Sequence, residues 1–214
     1  MRSWQPAVLR YAAYGSNLHP LRLRERAASA TLLGAANVAG WALRFHKRGR
    51  DGSAKCNIVP AGSSIYVAVY AIAPHHRLAL DRVEGVNAGY EQSVLEVPAF
   101  GDCFTYRASE THVDDALQPF CWYKELVLTG CETLGFPDDY VAAIRALAHV
   151  ADEDQDRRAQ NMSLVARARR TARRGDGEWY RVRGDSAVVG APTEKQGNDA
   201  TRCGVPGPVR GARR

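Results

Sequence analysis

The chain has 214 residues, a length that accommodates one domain with an extension or two small ones, and contains no apolar run long enough to span a membrane. Its formal net charge of +6 is unevenly placed: residues 1–156 hold 15 Lys and Arg against 18 Asp and Glu, a net of −3, whereas 157–214 hold 14 against 5, a net of +9. The basic balance therefore describes the C-terminal part and says nothing about the chemistry of the rest. The five cysteines are odd in number and lack C-x-x-C spacing, which argues against a disulfide frame or a zinc site and for a reducing compartment.

In chain order, β-branched or aromatic stretches bounded by Gly or Pro predict strands at 8–14, 31–38, 41–46, 56–60, 64–72, 90–97 and 103–106. Helices are predicted at 20–28, where Asn17 can cap and Leu21 and Leu23 face inward; at 74–83, which begins on Pro74; at 120–134; and at 137–148, where Tyr140, Ile144 and Leu147 recur at helical spacing. The loop 47–54, rich in Gly, Ser and charge, reads as a mobile flap or hairpin tip. Strands that arrive before and between helices without a βαβ repeat predict a mixed α+β domain over 1–150, and the shortness of several strands suits a small barrel.

Beyond residue 150 the arginine pairs and the Gly, Pro and Arg rich end predict a basic, largely disordered tail over 151–214, with 178–182 able to dock as a short strand. An arginine run of this kind is a solvated extension whose residual attraction is for nucleic acid or acidic surfaces. No secretory signal is present in the sequence, so the expected compartment is the cytoplasm.

Chemistry is suggested first where the apolar run ending at Tyr14 stops at Gly15-Ser16-Asn17 and Leu18 before a helix. Such a strand end bares several backbone N–H groups at one point, which is how a fold makes a pocket for a carboxylate or an oxyanion; the same residues also join strands to helices with no ligand present. Downstream stand Asp81-Arg82-Val83-Glu84-Gly85-Val86, followed by Tyr90, and then Tyr123-Lys124-Glu125 leading to Gly130 and Gly135-Phe136-Pro137. In this order and at these separations the three segments resemble the γ-glutamylcyclotransferase family (the AIG2-like superfamily) over residues 8–148: a Tyr-Gly-Ser-Asn-Leu loop, a Glu-Gly-Val element and a Tyr-Lys helix closing on Gly-x-Pro.

The resemblance implies a small mixed β-barrel with helices packed round it, and an enzyme that closes a γ-glutamyl amino acid or amide into 5-oxoproline with release of the amine. It assigns Glu84 as the single catalytic carboxyl group, Tyr14, Gly15, Ser16, Asn17 and Leu18 as the loop that binds the glutamyl group, and Tyr123 as a substrate-contacting hydroxyl. Neither a cofactor nor a metal is implied, and the partner is the small substrate alone, with the chain a monomer or homodimer. Desolvation would bring a carboxyl at Glu84 closer in proton affinity to the amines it serves.

One marked departure from the family pattern follows the glutamate. The aromatic contact expected seven residues after the glutamate is Glu91 here, with Tyr90 one position earlier, so either Tyr90 makes the substrate contact through a shifted turn or that contact is lost. Asn17 favours the free-amino-acid or dipeptide branch over the glutathione-specific or amine branches. Alternatives of related or different class are an enzyme that removes a γ-glutamyl group from a biosynthetic intermediate, and a small-carboxylate-binding protein without turnover. His75-His76 carries no metal expectation, because adjacent helical residues diverge by about 100°.

Overall fold

The computed structural model describes residues 8–174; the expected strand at 178–182 and the remainder of the tail lie outside the described residues. Strand β1 (Leu9–Ala13) runs into a 3₁₀ turn, Ser16–Leu18, and helix α1 (Pro20–Arg26). Strands β2 (Thr31–Arg48) and β3 (Ala54–Ile72) follow, then α2 (Pro74–Glu84), β4 (Tyr90–Val97), β5 (Gly101–Ala108), α3 (Cys121–Thr133), α4 (Asp138–Ala146) and α5 (Gln155–Arg174). The mixed α+β class follows directly from this order.

The strands form a five-stranded mixed sheet in the order β2-β3-β1-β5-β4, in which only β1 and β5 are parallel. The expected barrel does not close. β1 pairs with β3 only over residues 68–72, while β2 pairs with β3 along nearly its whole length. Beyond that stretch β3 has β2 as its strand partner among the described residues, and β2 and β4 remain the two ends of the order. The four short strands expected at 31–38, 41–46, 56–60 and 64–72 are two long ones. Gly40, at φ 85°, sits at a register shift between Ala39 and Trp41, so what reads as a turn signal is absorbed as a bulge within β2.

The loop 47–54, expected as a mobile flap or hairpin tip, is the tip of the β2–β3 hairpin, and hydrogen bonds hold it. Gly49 N–H donates to Ser53 C=O at 2.8 Å, Lys55 Nζ donates to Asp51 at 2.7 Å, and Ala54 N–H donates to Gln118 C=O at 3.0 Å.

Helix α3 is the centre of the core. Its residues from Cys121 to Cys131 are buried apart from Glu125, and Leu126, Val127 and Leu128 pack in one cluster with Ile65, Val67, Val69 and Tyr70 of β3. Lys124, buried in this helix, donates through Nζ to the carbonyls of Arg145 (3.1 Å) and Leu147 (2.8 Å). The lysine of the Tyr-Lys pair thus closes the C-terminus of α4, whose last carbonyls lack helical partners.

Residues 155–174 correct the expectation of a disordered tail from 151 onward. They form α5, which buries Leu164, Val165 and Ala168 and carries Arg167 and Arg169 to Glu25 and Glu125. Asp152, 1% exposed, anchors its start by accepting from Trp122 Nε1 at 2.8 Å and Arg157 Nε at 2.7 Å. Among the described residues no helix is long and apolar enough to cross a membrane.

The entry to α1 carries a pH dependence. His19 is 2% exposed and its Nδ1 accepts the Leu21 N–H at 3.1 Å, capping the helix with a neutral imidazole. Burial pushes its pKa from the ordinary 6.5 down to about 4. Between those values the unfolded chain takes a proton that the native one refuses, so stability held above pH 6.5 drains away as pH falls toward 4. His19→Asn keeps a capping acceptor and removes the titration. Urea unfolding at pH 7 and pH 4.5 should show wild type losing on the order of 2–3 kcal/mol more than the variant; equal losses would contradict this account of His19.

Candidate active site

The turn Ser16–Leu18 follows Gly15 directly. Leu18 N–H bonds back to Gly15 C=O at 2.9 Å, and among the described residues the N–H groups of Gly15, Ser16 and Asn17 ahead of it have no backbone acceptor. A Cβ on Gly15 would lie 3.0 Å from Cys56 Cβ, tighter than ordinary van der Waals contact, so the close approach of this turn to β3 favours glycine.

Opposite the turn, α2 ends on Glu84. Gly85, in the left-handed region at φ 70°, terminates it, and the Val86 N–H donates to Asp81 C=O at 2.9 Å to complete the cap. A carboxylate on the last helical residue stands at the negative end of the helix dipole and gains nothing from it. Its hold comes from elsewhere: Glu84 Oε1 accepts from Asn17 Nδ2 at 2.8 Å and from Arg26 Nη1 at 2.9 Å. The Glu84 side chain is 15% exposed, and Oε2 takes neither of these bonds.

Tyr11, Tyr14, Gly15, Ser16, Asn17, Cys56, Glu84, Tyr90, Tyr106 and Tyr123 line one narrow cleft, with about 300 Å³ of empty space that is partly open to solvent. Seven of the eight residues expected at the site are therefore neighbours. The exception is Leu18, which is 1% exposed, packs against Gly130 in the core and lends only its carbonyl, to the Tyr70 hydroxyl at 2.6 Å. Its side chain, on the last residue of the turn, faces inward into the core and lies outside the cleft lining.

The phenols are fixed by main chain. Tyr123 OH accepts the Cys56 N–H at 3.0 Å, Tyr90 OH donates to Cys56 C=O at 2.6 Å, and Tyr14 OH donates to Tyr106 C=O. Tyr106 OH donates to Asp81 Oδ1 at 2.6 Å. Burial, with the Glu84 charge as a lesser cause, raises the pKa of Tyr11, Tyr14, Tyr90, Tyr106 and Tyr123 above the ordinary phenol value, so the cleft presents neutral hydroxyls at physiological pH. The same burial pushes the Cys56 thiol up to about 12, which makes it a poor nucleophile. Among the described residues no group of three or more His, Cys, Asp or Glu is arranged to hold a metal ion.

Position 90, not 91, supplies the aromatic group after the glutamate. Tyr90 is 7% exposed and lines the cleft, whereas Glu91, its neighbour on β4, points to the other face of the strand and is exposed. Sequence reasoning missed Tyr11, Tyr106, Cys56 and Arg26. Tyr11 could have been found from strand parity, since β1 leads straight into the turn. Arg26 could not, because it meets Glu84 across 58 residues of chain.

The AIG2-like family model matches residues 64–144, a stretch that contains Glu84, Tyr90 and Tyr123. No curated protein matches the chain. Among solved structures, one titled γ-glutamyl cyclotransferase is 20% identical, with a TM-score of 0.65 over 75% of this chain and 99% of the other. An uncharacterized protein from Homo sapiens, loc79017, is 21% identical with a TM-score of 0.63, over 74% of this chain and 98% of its own. YkqA from Bacillus subtilis is 19% identical with a TM-score of 0.58, over 67% of this chain and 56% of its own. At such identities the likeness to these structures is one of fold. The chain is thus similar to the AIG2-like family over 64–144, less than half of its length, and shares its fold with a structure titled γ-glutamyl cyclotransferase.

Proposed function

We propose that the cleft converts a small γ-glutamyl amino acid or amide into 5-oxoproline and the free amine, with Glu84 as the proton carrier. The observation that carries this reading is the placement of the Glu84 carboxylate, 2.8 Å from Asn17 Nδ2 and in one cleft with a turn whose leading N–H groups lack backbone acceptors.

In this reaction the substrate's α-nitrogen attacks its own γ-carbonyl carbon, a C–N bond forms in the five-membered lactam, and the C–N bond to the leaving amine breaks. Two protons depart from the attacking ammonium and two arrive on the leaving nitrogen, and one carboxylate can carry them in turn. Nucleophile and electrophile share one molecule, so most of the advantage lies in holding the chain folded. The N–H groups of Gly15, Ser16 and Asn17 suit the glutamyl carboxylate or the developing oxyanion. The neutral hydroxyl of Tyr123, which accepts the Cys56 N–H, suits an acceptor on the substrate, whereas Tyr14 OH already donates to Tyr106 C=O and is left to accept. Glu84 Oε2 is the oxygen left to meet the ammonium. Neither the Cys56 thiol nor any covalent intermediate has a part in this scheme.

The test is incubation of the full chain with a panel of γ-glutamyl dipeptides and γ-glutamyl amines, beginning with γ-glutamyl-alanine, and detection of 5-oxoproline by mass. Product from at least one member is expected, and no product across the panel would remove the enzymatic reading.

A further inference from the structure

We propose that Arg26 is a positioning residue of this cyclisation, fixing through the single atom Nη1 both the amide orientation of Asn17 and the rotamer of Glu84. The inference rests on the reading of Glu84 as the proton carrier and extends it to a residue outside the cleft.

The three side chains close a ring. Arg26 Nη1 donates to Asn17 Oδ1 at 2.7 Å and to Glu84 Oε1 at 2.9 Å, and Asn17 Nδ2 returns a bond to Glu84 Oε1 at 2.8 Å. Asn17 Nδ2 also reaches Tyr11 OH at 3.0 Å. A primary amide can turn over by 180°, exchanging its donor and acceptor ends, and the tyrosine hydroxyl would accept either face because it can donate or accept. Glu84 as a carboxylate only accepts and a guanidinium only donates. With Arg26 present, one amide orientation alone satisfies both neighbours, with Oδ1 to Arg26 and Nδ2 to Glu84.

Among the described residues Asn17 and Arg26 supply the side-chain hydrogen bonds to Glu84. Arg22, one turn earlier on α1, lies 3.7 Å from Glu25 and does not substitute. Arg26 is absent from the cleft lining, so it reaches the carboxylate from outside the cleft. It is also the last residue of α1, so one side chain ties the 3₁₀ turn, the end of α1 and the end of α2 together.

The expectation for the full-length chain is specific. Arg26→Gln should lower kcat on γ-glutamyl-alanine, or on the best substrate of the panel, by about 100-fold while KM stays within about threefold, because geometry of the proton carrier and not affinity is lost. Arg26→Lys, whose ammonium can donate to both oxygens, should keep at least about a tenth of the wild-type kcat, and millimolar guanidinium should restore turnover to Arg26→Ala. Wild-type kcat in Arg26→Gln would overturn the inference while leaving the cyclisation intact. A loss shared equally by kcat and KM, with recovery by neither lysine nor guanidinium, would overturn it as well, since that is the pattern of a purely structural residue. A wild-type chain that forms no 5-oxoproline from any substrate would overturn the cyclisation and this inference with it.

Discussion

Glu84→Gln is expected to lower kcat for 5-oxoproline release by about 10²- to 10⁴-fold, the range associated with loss of a general acid–base group. The substitution is informative because it is nearly isosteric. A glutamine Oε1 at this position still accepts from Asn17 Nδ2 and Arg26 Nη1, the two bonds that orient Glu84. What disappears is the charge and the ability to take and return a proton. Binding of 5-oxoproline, measured by calorimetry, should change by no more than about fivefold, and stability should fall by only about 1 kcal/mol from weakening of one charge-assisted pair. Glu84→Ala would be less clear, since it leaves Asn17 and Arg26 without their shared acceptor. A kcat in Glu84→Gln close to that of wild type would show that another group carries the proton.

The second large effect is structural. Gly130 lies in the buried helix α3, where general helix propensity would favour alanine by about 1 kcal/mol. A Cβ there would stand 2.5 Å from Leu18 Cβ and 3.1 Å from the His19 backbone nitrogen. Neither atom can retreat easily: Leu18 is held by Tyr70 OH on its carbonyl and by its own N–H on Gly15 C=O. Gly130→Ala should therefore destabilise the chain by a net of about 2 kcal/mol, an overpacking cost that exceeds the propensity gain. Thermal unfolding should drop by about 4–8 °C. Because the displaced segment begins with Asn17, turnover should fall as well. A variant with a raised unfolding temperature would contradict the steric account.

These two residues also illustrate what a linear sequence exposes. The place of Glu84 beside a helix end is legible because a helix that starts on proline is stopped by Gly85, while its choice as the site carboxyl comes from the resemblance; the Tyr-Gly-Ser-Asn segment is legible because an apolar run halts at small polar residues. Both are local signals. Arg26 carries none, as its meaning depends on Glu84 arriving from 58 residues away.

The sheet failed for a related reason. Gly40 and Pro60 punctuate the sequence like turns, yet the facing strand tolerates both, with Pro60 paired to Trp41 beside the register shift. Strand order, which decides whether a barrel closes, is a long-range property that periodicity does not encode. Helix α5 was misread because its seven arginines outweigh a short apolar stripe in composition. Leu164, Val165 and Ala168 nevertheless pack inward, and Arg169 reaches Glu125 of α3. A few buried residues on one face are enough when a core helix waits beneath them.

The central claim is intramolecular attack within the cleft, and the sharpest measurement of it is the reaction of γ-glutamyl-alanine run in H₂¹⁸O with the full-length chain. Cyclisation predicts 5-oxoproline of unlabelled mass and an equal amount of alanine, because no water oxygen enters the product. Glutamate bearing ¹⁸O as the main product would mean that water is the nucleophile, and the account given for Glu84 and the Gly15–Asn17 turn would be wrong.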